Sequence, residues 1–508
     1  MLYTLLYSEI HYRFKYFLPL YFKKEPEIIF DLPRVLVNVE NNKNLPIYLL
    51  VKDAHQYPVK ITNICIKIFF QKTTTDFYQS DLYCCSINEF YIFEIPIETR
   101  WINNEIKILI FFQVNKKKYQ NDNYFGSKKH FFSVYISPQK KRFPPNWFIG
   151  DTHYHSNYTS DQVEFGAPLK IAKNCAQVMG LDWFFVTDHS YDLDDRENNY
   201  LENDPLLPKW NNMKIECQKL STKDLQIISG EEVSIGNNRN KNVHLLVINN
   251  PNYIQGKGDS AERWGRNKPC QSLNNLSLQG EKGLLIAAHP FDQIPLLQKW
   301  LLNRGTWEEF DYLENKIEYL QILNGQIFSQ IFPLIFQYIK LLQQGYKLQI
   351  LAGNDAHGNF QYMKQIHVPF LKLLCLKKQI FGQYFTAFRH HQNDPIQGLK
   401  NKITIISNGP FLNYSIVMDH HEFHIGETVI FDYPQCLMKY NYECEQYFGE
   451  HIKIILITGN KTKYQRTKLD PNQNTYQCCV KNLSFCFLVL TTEKEYMAMT
   501  NPIFLQKK

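Results

Sequence analysis

The stretch Trp147-Phe148-Ile149-Gly150-Asp151-Thr152-His153-Tyr154-His155 decides how this chain is read. A short apolar run ends in imidazoles, and side chains two apart on a strand point the same way, so His153 and His155 share a face. The arrangement recurs. Trp183-Phe184-Phe185-Val186 leads into Thr187-Asp188-His189, and the run from Leu225 leads into Glu231-Glu232. Leu284 to Ala288 leads into His289-Pro290, and Leu348 to Asn354 into Asp355-Ala356-His357. Val243-His244-Leu245-Leu246-Val247 carries its histidine at the start. Unrelated core histidines would require a separate coincidence at each of these positions. Strand ends delivering imidazoles and carboxylates to one point of a barrel-like α/β domain explain them together. That donor set suits a cluster of divalent metals.

Around this centre the chain divides into three regions. At 508 residues it exceeds one core, and 44% hydrophobic residues with 15% aromatics mark it as globular. Residues 1–142 read as an N-terminal β-sandwich-like domain. Ile106, Ile108, Ile110, Phe112 and Val114 alternate with polar neighbours, as a half-buried strand requires. Residues 146–400 alternate strand and helix patterns. Leu169, Ala172, Ala176 and Met179 fall on one helical face, and Gly180 follows where a helix-ending glycine belongs. A second helix is expected from about Gln330 to Gln344, with Pro333 near its first turn and Gly345 beyond its end. Seven strand candidates favour a closed or distorted (β/α) barrel over an open sheet. Residues 401–508 return to β alternation as a C-terminal β domain.

Composition excludes several classes. The net charge of +7 is mild, and no basic stripe interleaved with aromatics supports nucleic-acid binding. Lys116-Lys117-Lys118 reads as a strand-end turn. The twelve cysteines lack C-x-x-C spacing and read as free thiols of a reducing cytosol. No signal peptide is recognised, and no apolar run approaches about 18 residues, so a cytoplasmic, non-membrane protein is expected.

Gly150-Asp-Thr-His-Tyr-His-Ser156, Val186-Thr-Asp-His-Ser190, Ala288-His-Pro-Phe291 and Ala352-Gly-Asn-Asp-Ala-His-Gly358 together resemble the PHP domain of the polymerase and histidinol phosphatase superfamily, most closely its carbaryl-hydrolase-type branch. The resemblance covers roughly residues 146–400. It implies a distorted (β/α)7 barrel with two or three divalent ions, commonly zinc, manganese or iron. It further implies that His153, His155, Glu232 and Asp355 hold the first ion, Glu232, His244 and His289 the second, and Asp161, His189 and His357 the third. The family's spacing to Asp161 is one residue shorter, so a bulge must absorb the difference. Glu231 competes with Glu232, which is preferred because Val233 follows it, as Ile or Val follows the family's glutamate.

The expected activity is metal-dependent hydrolysis of a small phosphate ester, with Glu232, His289 and Asp355 carrying the catalytic role. A carboxylic or carbamate ester is the alternative substrate, and a non-catalytic metal-stabilised scaffold is an alternative of another class. A bridging carboxylate such as Glu232 offsets the repulsion between two cations, and water shared by metals about 3.5–4 Å apart has its pKa lowered to about 7. No Ser or Cys nucleophile is then needed. Asp151 and Asp188 stand close to ligand histidines, either orienting imidazole N–H groups or capping turns. Arg263 and Arg266, in the segment after the His244 strand, are candidates to grip an anionic substrate. The acidic run Tyr191–Asp204 favours a small substrate over a long polyanion.

Overall fold

The computed structural model describes residues 25–508 except 53, 56, 124–129, 160–165, 197–198, 258–267, 277–282, 295–298, 301, 315–316, 362–377 and 433. In the N-terminal region, a three-stranded sheet (Glu27–Asp31, Asn44–Lys52, Asn88–Pro96) and a seven-stranded sheet built on Val59–Phe70, Asn104–Val114 and Phe132–Ile136 enclose one apolar core. The alternation of strand Asn104–Val114 has the expected result: Ile106, Ile108, Ile110, Phe112 and Val114 are all buried.

From Trp147 onward the expectation of an α/β chain folded as a (β/α)7 barrel is overturned. Strand accounts for 46% of the structure and helix for 15%, in a multi-sheet, sandwich-like arrangement. Sixteen strands join one mixed sheet, and others form separate sheets of two and four. Trp147–His155 pairs parallel with Trp183–Val186 on one side and antiparallel with Phe385–Arg389 on the other. Phe385–Arg389 passes the sheet to Thr404–Ser407, Met497–Thr500 and Phe485–Thr492. Gln226–Gly236, Asn242–Ile248 and Leu284–Ala287 are antiparallel neighbours. A turn at 237–241 joins the first two, where a parallel crossover would need a helix. Asn501 ties the C-terminal strands to this sheet, donating from Nδ2 to Ile350 O (3.1 Å) and accepting from Ile350 N (2.6 Å).

The physical reason for the misreading is local. A strand buried on both faces is a continuous apolar run whether its neighbours are parallel or antiparallel. Where helical periodicity was strong, helices form. Leu169–Met179 ends at Gly180 with φ 71°, and Phe328–Gln343 tolerates Pro333 in its second turn and is followed by Gly345 at φ 97°. No helix among the described residues is long and apolar enough to cross a membrane.

Gly150 faces Trp183 in the parallel register, and a Cβ there would lie 2.2 Å from both the Trp183 carbonyl oxygen and its indole. Gly150→Ala therefore forces the His153 strand off its neighbour. It should lower the urea midpoint by an amount equivalent to at least about 1–3 kcal/mol, the usual cost of overpacking.

Candidate metal centre

Strand pairing brings the expected residues together. His153 and His155 emerge on one face of Trp147–His155, their Nε2 atoms 3.0 Å apart. Parallel pairing of Ala356–His357 with Tyr154–His155 sets His357 beside His155, the rings stacked at 4.1 Å. Asp355 precedes that pair, donating its backbone N–H to His153 O (3.0 Å). His189 lies opposite Glu232 in an isolated bridge. His244 stands at the start of Asn242–Ile248, and His289 follows Leu284–Ala287 at a left-handed φ of 33°.

Glu232 is the centre of the group. Its Oε1 stands 2.6 Å from His244 Nδ1, 3.2 Å from His289 Nε2 and 3.4 Å from His153 Nε2. Its Oε2 stands 3.1 Å from His189 Nδ1 and 3.4 Å from His155 Nε2. Asp355 Oδ1 adds contacts of 3.5 Å to His153 and 3.2 Å to His155. Burial works to raise the Glu232 carboxyl, but His244 and His153 hold it well below its usual range. Burial likewise opposes Asp355, which His153 and a hydrogen bond from His155 hold well down. Burial, with His357 and His189 nearby, lowers His155 and favours the neutral imidazole that ligates metal.

These donors fit cations. Three groups each bring one donor atom per residue within 4.8 Å of the others: His155, His189 and His357; His153, His155, Glu232 and Asp355; Glu232, His244 and His289. Donors around an ion at about 2.0–2.1 Å lie roughly 2.9–3.4 Å apart. The imidazole–imidazole and imidazole–carboxylate separations among His153, His155, Glu232 and Asp355 run from 3.0 to 3.5 Å. The buried clusters can therefore hold metal ions.

Three candidates from the sequence, Asp161, Arg263 and Arg266, lie outside the described residues. Glu231 points away from the cluster and accepts from Ile254 N at 3.0 Å. Among the described residues, Asp151 and Asp188 meet no imidazole N–H. Asp151 accepts from His153 N (3.0 Å), Asn354 Nδ2 (2.7 Å) and Gly382 N (2.8 Å). Asp188 accepts from the Ser156 backbone and hydroxyl and from Thr159 N. Asp192, Asp194 and Asp195 of the acidic run are buried.

The imidazoles are oriented by residues the sequence reading passed over. Gln321 Oε1 lies 2.8 Å from His153 Nδ1, and Thr159 Oγ1 lies 3.2 Å from His155 Nδ1. The signal for Gln321 was present: one amide inside the apolar run Tyr319-Leu320-Gln321-Ile322-Leu323. Arg304, a third omission, places Nη1 against His244 Nε2.

No family model matches this chain, and no curated protein matches it. Among solved structures, 95% of the chain aligns with a Parabacteroides merdae beta-glucuronidase crystallised with glycerol in its active site, at 9% identity and a TM-score of 0.16. The chain spans 64% of that protein, and a likeness at this level carries no argument.

Gln321→Ala removes the acceptor that orients His153 and should weaken metal affinity by about 10–100-fold, read by chelator competition. An unchanged affinity would show that packing alone holds the ring. Glu231 supplies a pH test. Burial pushes its carboxyl well up, opposed only in part by the Ile254 N–H and Lys214. An acid raised in the folded state contributes stability below its unfolded pKa and loses it as pH rises through the folded one. Glu231→Gln should match the parent in urea denaturation near pH 4 and exceed it near pH 9. Equal losses at both would remove ionisation from the account.

Proposed function

We propose that this chain is a metal-dependent hydrolase of a small phosphate ester, as its PHP-like motifs imply. The observation that carries the reading is Glu232, whose two oxygens face five imidazoles at 2.6 to 3.4 Å while the residue is 1% exposed. A carboxylate shared in this way offsets the charge of neighbouring cations on both sides. Divalent ions of the zinc, manganese or iron type, when bound there, would supply Lewis acidity and lower the pKa of bound water to about 7. Neutral His155 and His289 leave their lone pairs available as ligands, and ionised Glu232 and Asp355 provide the negative charge. Glu232, His289 and Asp355 line the place where an ester oxygen would meet the ions. Asn324 Nδ2, 3.3 Å from Asp355 Oδ2, holds that carboxylate in position.

Elemental analysis of the protein purified without chelator should find at least two ions per chain. His155 belongs to two of the three donor groups, so His155→Ala should lose more than one of them. A generic phosphate monoester should be hydrolysed with metal and not after chelation. Turnover of carboxylic or carbamate esters alone would transfer the reading to that bond. Bound metal without turnover of either would favour a metal-stabilised scaffold, and a folded protein that takes up no metal would end the proposal.

A further inference from the structure

The segment Leu302-Asn303-Arg304-Gly305 is docked on the start of the strand that carries His244. Asn242 donates its backbone N–H to Asn303 O (2.9 Å) and its Nδ2 to Leu302 O (2.8 Å), while Gly305 N donates to Asn242 O (2.8 Å). Asn303 takes a left-handed φ of 50°, and a Cβ on Gly305 would come within 2.3 Å of Lys241 Cβ. The backbone of Arg304 is thereby held opposite Asn242, two residues before His244. From this anchorage the guanidinium reaches His244 Nε2.

A guanidinium only donates hydrogen bonds. Arg304 Nη1 meets His244 Nε2, while Nδ1 of the same ring faces Glu232 Oε1 at 2.6 Å. A neutral imidazole that ligates through one nitrogen keeps its proton on the other. If Nδ1 ligates, Nε2–H opposes the Arg304 donors. If Nε2 ligates, the guanidinium stands where the ion must be. Either way, metal on Glu232, His244 and His289 and the present Arg304–His244 contact exclude each other.

We propose that Arg304 is a specificity-determining residue: metal loading turns its guanidinium off His244, and it then grips the anionic oxygens of the bound ester. A further positive charge at the lip of a cation cluster is tolerable when an anion lies between them, and a planar fork of donors matches paired oxygens. The site would then favour anionic esters over neutral ones by a residue that ligates no metal. This inference rests on the metal-site reading above.

The test uses the full chain, with inorganic phosphate as the probe. Phosphate binding is measured by calorimetry on metal-loaded parent, Arg304→Gln and Arg304→Lys, with metal content determined for each. Arg304→Gln should retain its metal and bind phosphate roughly 10–100-fold more weakly, the loss of a charge-assisted pair. Arg304→Lys, which keeps the charge without the fork, should fall between, and serves alone if the glutamine variant misfolds. Phosphate affinity equal to the parent in either variant overturns the proposal. So does loss of metal in Arg304→Gln, which would make the residue a support for His244. A parent that holds no metal sinks the metal-site reading itself and this inference with it, whereas a metal-loaded parent with unaltered variants sinks only the role of Arg304.

Discussion

A carboxylate sealed among imidazoles is costly unless charge balance is met on the spot, and Glu232 is such a group. Five histidines from four separate segments converge on its two oxygens, and each segment must be delivered by its own backbone. The strand Gln226–Gly236 makes this possible by its place in the sheet. It pairs parallel with Trp183–Val186, which brings His189, and antiparallel with Asn242–Ile248, which brings His244. Glu232 N bonds to Asp188 O at 3.0 Å, so the residue before His189 also sets the height of Glu232.

The clamps around the cluster act mainly on backbone. Asp151 and Asp188 each gather three donors, and Asn354 Oδ1 accepts from Tyr384 N at 2.9 Å. Such bonds keep strand ends from fraying where they leave the sheet. Within the cluster itself, His289 and Asp355 both have positive φ, at 33° and 53°. Strain of this kind persists only where the surroundings over-determine it, and it gathers at functional positions. The Asn303–Gly305 turn obeys the same logic at the Arg304 side of the cluster.

A rigid cluster with polar groups on both its inner and outer edges divides the labour among residue types. Gln321 and Thr159 address the far nitrogens of His153 and His155, leaving the near nitrogens turned toward each other. Arg304 addresses His244 from outside. The first two stabilise one ring orientation, whereas the third competes with it. That difference separates support from control: a neutral partner can remain in place when a cation arrives, and a guanidinium cannot.

Local chemistry determined much of this protein before any fold was known. His153, His155, His189, Glu232, His244, His289, Asp355 and His357 were legible as a donor set because each ends or begins an apolar run, and period-two alternation marked the N-terminal strands. Those signals belong to residues adjacent in the chain. Strand direction and strand order do not, because a fully buried strand offers the same apolar run to a parallel or an antiparallel neighbour. The barrel expectation failed on that point, at Gln226–Gly236, Asn242–Ile248 and Phe385–Arg389. The preference for Glu232 over Glu231 was already in the sequence, and the tertiary structure gave Glu231 its own partner, Ile254 N. The tertiary structure alone brought Gln321, Thr159 and Arg304 to the imidazoles, from 168, 4 and 60 residues away in sequence, since hydrogen-bond partners across a sheet are chosen by register and leave no periodic trace.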